Sequence, residues 1–553
     1  MKLLILGGYG VFGGRLAYLI RDMPVTALIA GRSEAKARAF CKQVGGTATF
    51  QPLALDRDAI ADALASHQPD IVIDASGPFQ QYTGDRYAVI RACIAARVNY
   101  LDFADAADFV FGVPQFDAQA RAVNVFVLSG VSSFPVLTAA VLREIAQRME
   151  IEDVTGGIAP SPYAGIGLNV MRAVIGYAGA PVQLLRDGAE TTAPGLAETR
   201  YYTVAPPGRL PLRHLRFSLV DVPDLRVIPP EYPTMRSIWM GAGPVPDILH
   251  RALNLLARLR ARGWLPSLIP AAPSFYRVLN LMKFGEHRGG MFVEAKGHAD
   301  GHPVTISWHL LAEDDDGPMI PSMAIEALLR KAVAGTLPAP GARAATQALD
   351  LADYESLFAT RTITTGFRDS RDETAAVYPA LLGSAYKDLP PKIQSLHKGK
   401  TIRTWQGEAE VTPGDNALAR GTARLFGFPT RPGTVPVNVT FTPDGKGELW
   451  RRDFDGQILK SHQSPGTGRN HRLLLERFGP FAVALALVFD DGKLRLVPRR
   501  WTFLGLPLPR AILPGGDSHE TEQDGRFRFH VDIRAPLLGR IVRYRGWLQP
   551  GAG

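Results

Sequence analysis

The chain has 553 residues, several times the common domain size, so two or three compact cores are expected. Hydrophobic residues at 46% and charged residues at 21% exclude a largely disordered or fibrous protein. The net charge of +9 is uneven: residues 1–370 are balanced, whereas 371–553 hold 27 basic against 18 acidic groups, which points to an anionic partner for the last third alone.

From the N-terminus, apolar runs read as strands at Lys2–Leu6, 25–30, 47–53, 70–74, Asn99–Asp102 and 123–128. Helical patterns at 11–21, 33–44, 57–67 and 83–96 lie between them. Such alternation predicts a doubly wound parallel sheet covered on both faces, over residues 1–135. Residues 136–345 mix strands and helices and read as a mixed α/β substrate domain. Its clearest hairpin is 291–298 with 303–312, turning on Asp300-Gly301. The Pro/Gly stretch at 337–342 opens a linker-like region, taken as 346–377. Beyond it, 378–553 carries Asp444-Gly445, Asp455-Gly456, Asp491-Gly492 and Asp524-Gly525, which predict antiparallel hairpins curled into a sheet or barrel.

Cys41 and Cys93 give no disulfide framework and no cysteine zinc site, as suits a reducing cytoplasm. The opening apolar run is too short for a signal peptide, and no window supplies the roughly 18 apolar residues of a membrane span. A cytoplasmic protein, at most peripheral to the inner membrane, is expected.

The strongest motif is Gly7-Gly8-Tyr9-Gly10-Val11-Phe12-Gly13, in which Gly8, Gly10 and Gly13 fit G-x-G-x-x-G between a first strand and a first helix. In this pattern Gly8 makes the tight turn, Gly10 lets backbone approach a pyrophosphate, and Gly13 allows close helix–strand packing. A ligand-free glycine-rich turn is the competing reading. At the end of the second strand an NAD site usually has an acid for the ribose 2′-hydroxyl, but here stands Ala30-Gly31-Arg32-Ser33. Arg32 by charge and Ser33 by hydroxyl suit the 2′-phosphate of NADP. A solvated Arg32 and a helix-capping Ser33 are the plainer roles. Ser76, Gly77 and Pro78 follow the fourth strand, where cofactor and substrate meet in such sheets.

Taken with these motifs, Cys93 in the next helix, Tyr100-x-Asp102 and Ser132-Ser133-Phe134-Pro135 resemble the saccharopine-dehydrogenase-like NADP-binding proteins over roughly residues 1–340. The last third resembles an uncharacterised domain found fused to such proteins in bacteria. The resemblance implies a Rossmann domain, a substrate-contacting α/β domain and hydride transfer with NADP, while leaving the substrate open between small and lipid-like molecules. It places the segments of Tyr82, Asp102 and Cys93 near the nicotinamide as acid–base candidates. Against this, Tyr82 reads rather as a packing residue and Cys93 as a buried small side chain, while a cap competes evenly for Asp102. A non-catalytic NADP-binding scaffold is the other class of function.

Three further patterns are discounted. Gly399-Lys400-Thr401 lacks the upstream glycine of a P-loop, His298 and His302 flank a hairpin turn, and the acidic run from Glu313 to Asp316 lacks calcium-loop spacing. No metal is expected. Residues 248–270 form a basic amphipathic segment that suits an anionic membrane surface, with ordinary packing as the alternative. Basic and aromatic residues around Trp450, Trp501 and Trp547 suit an anionic amphiphile in a barrel mouth better than nucleic acid, whose motifs are absent. Arginines forming surface ion pairs would be the plainest explanation.

Overall fold

The computed structural model describes residues 1–82, 84–165, 167–243, 246–372, 376–399 and 401–551. The chain divides into two compact units, Met1–Tyr202 with Leu215–Thr364, and Thr203–His214 with Thr365–Gly553.

In the first unit, a parallel sheet runs in the order Gly341–Ala344, Phe126–Ser129, Asn99–Asp102, Ile71–Asp74, Lys2–Leu6, Thr26–Gly31, Thr49–Ala54. Leu3, Leu4, Ile5, Val72 and Ile73 are fully buried because helices cover both faces, so these strands carry no polar alternation. Chain order reverses between Lys2–Leu6 and Ile71–Asp74, which opens a crevice at their carboxyl ends. This is a Rossmann-type sheet, as expected.

One strand comes from an unexpected place. Gly341–Ala344, read as part of a Pro/Gly stretch, pairs in parallel with Phe126–Ser129 at the sheet edge. Ala342 N–H also donates to Asp117 (2.9 Å). The described part of the supposed linker at 346–377 is likewise structured. Asp350 and Asp353 form a capping box at the start of helix Leu351–Phe358, whose Leu351, Tyr354, Leu357 and Phe358 are buried, and strand Ile363–Asp369 follows. A buried face at helical spacing thus overrides the loop-like composition upstream. The helix expected over 83–96 begins at Ala88, after a single turn at Phe79–Gln81; Thr83 lies outside the described residues.

A second sheet of the same unit runs Thr199–Tyr202, Leu215–Leu219, Ser237–Ala242, Glu150–Ala159, Arg288–Ala299, His302–Glu313. Its hairpin turns on Asp300 (φ 50°) and Gly301 (φ 76°), the two positive φ values that a two-residue turn of this hand requires.

The second unit is built on a closed antiparallel barrel. From Arg403–Pro413 the circuit passes through Gly433–Asp444, Gly447–Phe454, Gln457–Pro465, Leu474–Phe478, Phe481–Asp490, Lys493–Phe503, Ser518–Gln523 and Arg526–Ala535 to Gly539–Pro550, which pairs with the first strand. The circuit is thinnest between Lys493–Phe503 and Ser518–Gln523, which meet only at Leu494 with Glu520 and Arg495 with His519. Three Asp-Gly pairs form the turns with both residues at positive φ: Asp455-Gly456, Asp491-Gly492 and Asp524-Gly525. In the fourth, Asp444 stays in its strand opposite Gly447, and the turn shifts to Gly445-Lys446. Helices Val377–Leu382 and Pro391–His397 add Tyr378, Leu382, Ile393 and Leu396 to the barrel's core. Trp450 belongs to this core as well, with its indole N–H donated to Glu448 (2.7 Å), so it offers no exposed stacking face. Of the discounted Gly399-Lys400-Thr401, Lys400 lies outside the described residues.

Candidate functional site

The crevice of the parallel sheet opens into a pocket of about 730 Å³. Strand Lys2–Leu6 ends at Gly7, whose φ of +69° turns the chain. A side chain on Gly7 would sit 2.6 Å from the Ala75 carbonyl oxygen, so only glycine fits this turn. The sequence pattern assigned the turn to Gly8. Gly8 instead provides clearance, because its Cβ would press on the Ile5 carbonyl at 2.9 Å. At Gly13 a Cβ would lie 2.5 Å from the Gly7 carbonyl oxygen, so glycine there lets helix Val11–Leu19 sit against the strand. Gly10 N–H bonds to Gly7 O (2.8 Å), and no side chain caps the helix, which leaves its N-terminal N–H groups for an anion. Gly7, Tyr9, Gly10, Val11 and Phe12 line the pocket, while Gly8 and Gly13 shape it from behind.

Arg32 lies exposed on the pocket wall, with no ion pair among the described residues. Its loop is held by Tyr9, whose ring occupies the space above Gly31 (a Cβ there would be 2.5 Å from the ring). The Tyr9 hydroxyl accepts from Ser33 N–H (3.1 Å). Ser33 caps helix Glu34–Val44 through Lys36 N–H and is not part of the pocket lining.

Ser76, Gly77 and Pro78 line the opposite side with Phe79 and Tyr82. The Tyr82 hydroxyl meets Ser76 Oγ at 2.9 Å, and Ser76 Oγ donates to Asp74 Oδ1 at 2.5 Å. Ser76 N–H donates to the same oxygen (2.9 Å), fixing the chain Tyr82–Ser76–Asp74 in place. The Arg57 guanidinium lies 3.9 Å from the Tyr82 ring centroid, its Nε 4.0 Å from Asp74 Oδ2. Burial, reinforced by the charge of Asp74, pushes the Tyr82 hydroxyl well above its ordinary range, so it remains protonated. Burial also raises Asp74, tempered by Ser76 and Arg57.

Asp102 is paired with Asp74 in the adjacent parallel strand and is fully buried. It accepts from Ala104 N–H (2.9 Å) and Gly130 N–H (2.7 Å), and burial pushes its carboxyl up to about 7 against those donors. It ties two loops together without lining the pocket. Cys93 is a fully buried residue of helix Ala88–Ala96, its thiol raised first by burial and then by Asp74. It neither reaches the pocket nor forms a ready thiolate, so the geometry counts against it as a proton carrier.

Sequence reasoning overlooked Arg57, Phe103 and Arg172. Arg57 and Phe103 follow the carboxyl ends of the third and fifth strands, the positional rule that singled out Ser76. Arg172 comes from helix Leu168–Gly176, which has no local signature. Phe12 and Phe103 stack with ring centroids 5.6 Å apart and make this end of the pocket apolar. The glycine cradle and the uncapped helix end suit a dinucleotide, and the volume lies within the roughly 300–1,000 Å³ typical of small-molecule sites. No group of three or more His, Cys, Asp or Glu side chains poised to hold a metal is found among the described residues.

Residues 3–127 match the family model for the saccharopine dehydrogenase NADP binding domain, and residues 389–548 match the one for a domain of unknown function (DUF4166). No curated protein matches the chain. Among solved structures, saccharopine dehydrogenase (L-Glu forming) from Saccharomyces cerevisiae is similar at 14% identity, over 66% of this chain and 99% of that one, with a TM-score of 0.46. An amine dehydrogenase from Mycobacterium smegmatis matches at 13% identity, over 62% and 94%, with a TM-score of 0.31. An oxidoreductase from Agrobacterium radiobacter in complex with NAD+, L-tartaric acid and magnesium matches at 12% identity, over 62% and 91%, with a TM-score of 0.29. By the family match, residues 3–127 are a nicotinamide-dinucleotide-binding domain of the saccharopine dehydrogenase type, carried in one chain with a barrel domain of unknown function.

Proposed function

We propose that the chain is an NADP-dependent oxidoreductase acting on an apolar, lipid-like molecule. The observation that carries the NADP assignment is the end of the second strand, where Arg32 stands exposed on the pocket wall in place of the usual acid. When bound, the nicotinamide supplies or accepts the hydride. The chain's own residues handle the proton. Tyr82, kept protonated by burial, faces the pocket and donates its hydroxyl proton to the substrate heteroatom. Ser76, anchored on Asp74, holds the Tyr82 hydroxyl in place, and the tyrosinate left behind takes its next proton from water entering the pocket. Arg57 positions the Tyr82 ring, and Asp102 positions the backbone at Ala104 and Gly130.

The test is a fluorescence titration with NADPH and NADH, repeated on Arg32→Ala. NADPH affinity is expected to fall about 10- to 100-fold, the worth of one or two charge-assisted hydrogen bonds, with NADH affinity unchanged. Equal loss for both cofactors, or for neither, would overturn the assignment.

A lipid-like substrate is favoured by the surface behind the pocket. Helix Asp247–Ala261 buries His250, Asn254 and Ala257 and turns Ile248 and Leu255 outward, 67% and 56% exposed. Helix Ala272–Leu281 exposes Val278 and Leu281 and packs Phe275 and Leu279 toward Met171 and Ile175 of the pocket-lining helix. Trp264 is 71% exposed between them. Residues 248–285 contain no acid, and Arg262, Arg277 and Lys283 are exposed, a combination that suits an anionic bilayer. Co-sedimentation with phosphatidylglycerol vesicles at low salt, reduced by Trp264→Ala with Leu281→Ala, is expected. If the intact chain ignores those vesicles, the membrane-derived substrate is withdrawn. Among the described residues no helix is long and apolar enough to cross a membrane.

A further inference from the structure

A second cavity, of about 440 Å³, lies wholly within the C-terminal unit. Its charged lining is one-sided. Arg213 and His214 come from the short segment Thr203–His214, Arg469 and His471 from the turn before strand Leu474–Phe478, and Arg510 from a turn after the barrel's seventh strand. Arg499 and Arg500 complete it, and no acidic side chain is among its described lining.

Two consecutive strand residues ordinarily point to opposite faces. Here the register against strand Phe481–Asp490 slips between Ala484 and Leu485, so Arg500 pairs with Ala484 and Pro498 with Leu485, leaving Arg499 as an inserted residue. That bulge is why both arginines line one cavity. Elsewhere on the barrel, arginines are matched with acids: Arg452 with Glu476, Arg403 with Glu448, Arg545 with Glu410, and Arg540 with Asp415. By contrast, Arg469, Arg500 and Arg510 make no ion pair among the described residues. The crowding has a visible electrostatic effect. After burial, the charges of Arg213, Arg469 and Arg499 lower Arg500, and those of Arg500 and Arg469 lower His214.

We infer that this arginine-lined cavity binds a compact polyanion, a diphosphate or phosphate-monoester group. Guanidinium forks match phosphate oxygens in pairs, and several forks around one cavity favour more than one negative charge. Pro507, Leu508 and Trp501 form an apolar wall beside the forks, and Trp501 also lines a separate apolar cavity of about 200 Å³ inside the barrel. The same phosphate chemistry is available from a soluble metabolite or from a phospholipid headgroup. The inference does not depend on the hydride-transfer reading.

Calorimetric titration of the full chain with inorganic pyrophosphate at moderate salt is the test. Saturable binding is expected, weakened at least tenfold by Arg469→Ala and by Arg500→Gln. Arg545→Ala removes one positive charge elsewhere on the barrel and is expected to leave the affinity within twofold. Vesicles containing phosphatidic acid form the second arm. Binding to vesicles that both cavity variants abolish, without binding of pyrophosphate, assigns the site to a headgroup. Absence of binding in both arms, or equal weakening by Arg545→Ala, overturns the proposal. A thermal melt of each variant serves as the folding control: the barrel's transition is expected to stay where it is in the unaltered chain, and NADPH binding, whose pocket lies in the other unit, is expected to be unchanged.

Discussion

The dinucleotide pocket and the arginine-lined cavity both present positive potential, but they are made from different material. In the N-terminal sheet backbone supplies part of the potential: Gly7, Gly10 and Gly13 bring an uncapped helix end to the crevice, with Arg32, Arg57 and Arg172 spaced around the pocket wall. In the barrel it comes from side chains, five guanidinium groups on separate segments gathered into one cavity. The first arrangement costs the fold little, because helix N–H groups are oriented by their own hydrogen bonds. The second holds like charges together, and Arg500, lowered first by burial, is lowered further by Arg213, Arg469 and Arg499. A backbone site should therefore fail when steric clearance is lost, whereas a side-chain cluster should fail when charge is removed.

The largest expected effect is steric. Gly13→Val would force atoms into the space 2.5 Å from the Gly7 carbonyl oxygen, displacing the helix that faces the cofactor. Loss of NADPH binding by more than about 100-fold, roughly 3 kcal/mol, is expected, with a lowered melting temperature. Unaltered binding would show that the backbone cradle is not the binding element.

Next in size is a pH effect confined to the N-terminal unit. Asp102 is held up to about 7 by burial, above the ordinary value for an aspartate, so the folded state keeps a proton that the unfolded chain releases near pH 4. Its stabilising contribution is complete below pH 4 and is lost as pH rises through about 7. Asp102→Asn retains an oxygen for Ala104 and Gly130 and should flatten this decline by on the order of 2–4 kcal/mol. Asp224, also raised to about 7 by burial, would keep some slope. Urea midpoints at pH 4.5 and 7.5 for both proteins check this, and parallel slopes would refute it.

The smallest effect sharpens the contrast most. Removing one charge from a repelling cluster should not harm the ligand-free fold, so Arg500→Gln is expected to change stability by no more than about 1 kcal/mol, in the stabilising direction. A clearly destabilised variant would mean that Arg500 is a structural partner and not part of a binding cluster.

Legibility in the sequence followed the same division. The glycine turn, Arg32, Ser76 and the Asp-Gly hairpins were readable because each depends on a few consecutive residues. Strand Gly341–Ala344 was not, because its pairing with Phe126–Ser129 spans more than two hundred residues of chain and its Pro/Gly neighbours resemble a linker. Tyr82 and Ser76 were separately visible, but Asp74 counted only as a strand end, and only the fold connects the three. For Asp102 and Cys93 the plainer expectations agree better with their burial.

By itself, then, the sequence determined a βαβ start with a dinucleotide-binding turn, a β-rich basic end, and the absence of a cysteine scaffold, since these rest on local spacing and composition. Tertiary structure decided where the basic excess gathers. It matched Arg403, Arg452, Arg540 and Arg545 with acids distant in sequence, and a single bulge turned Arg499 and Arg500 into one cavity beside Arg213, Arg469 and Arg510. Charge counts along a chain cannot show this, because Coulombic pairing acts over a few ångströms of space and takes no account of sequence distance.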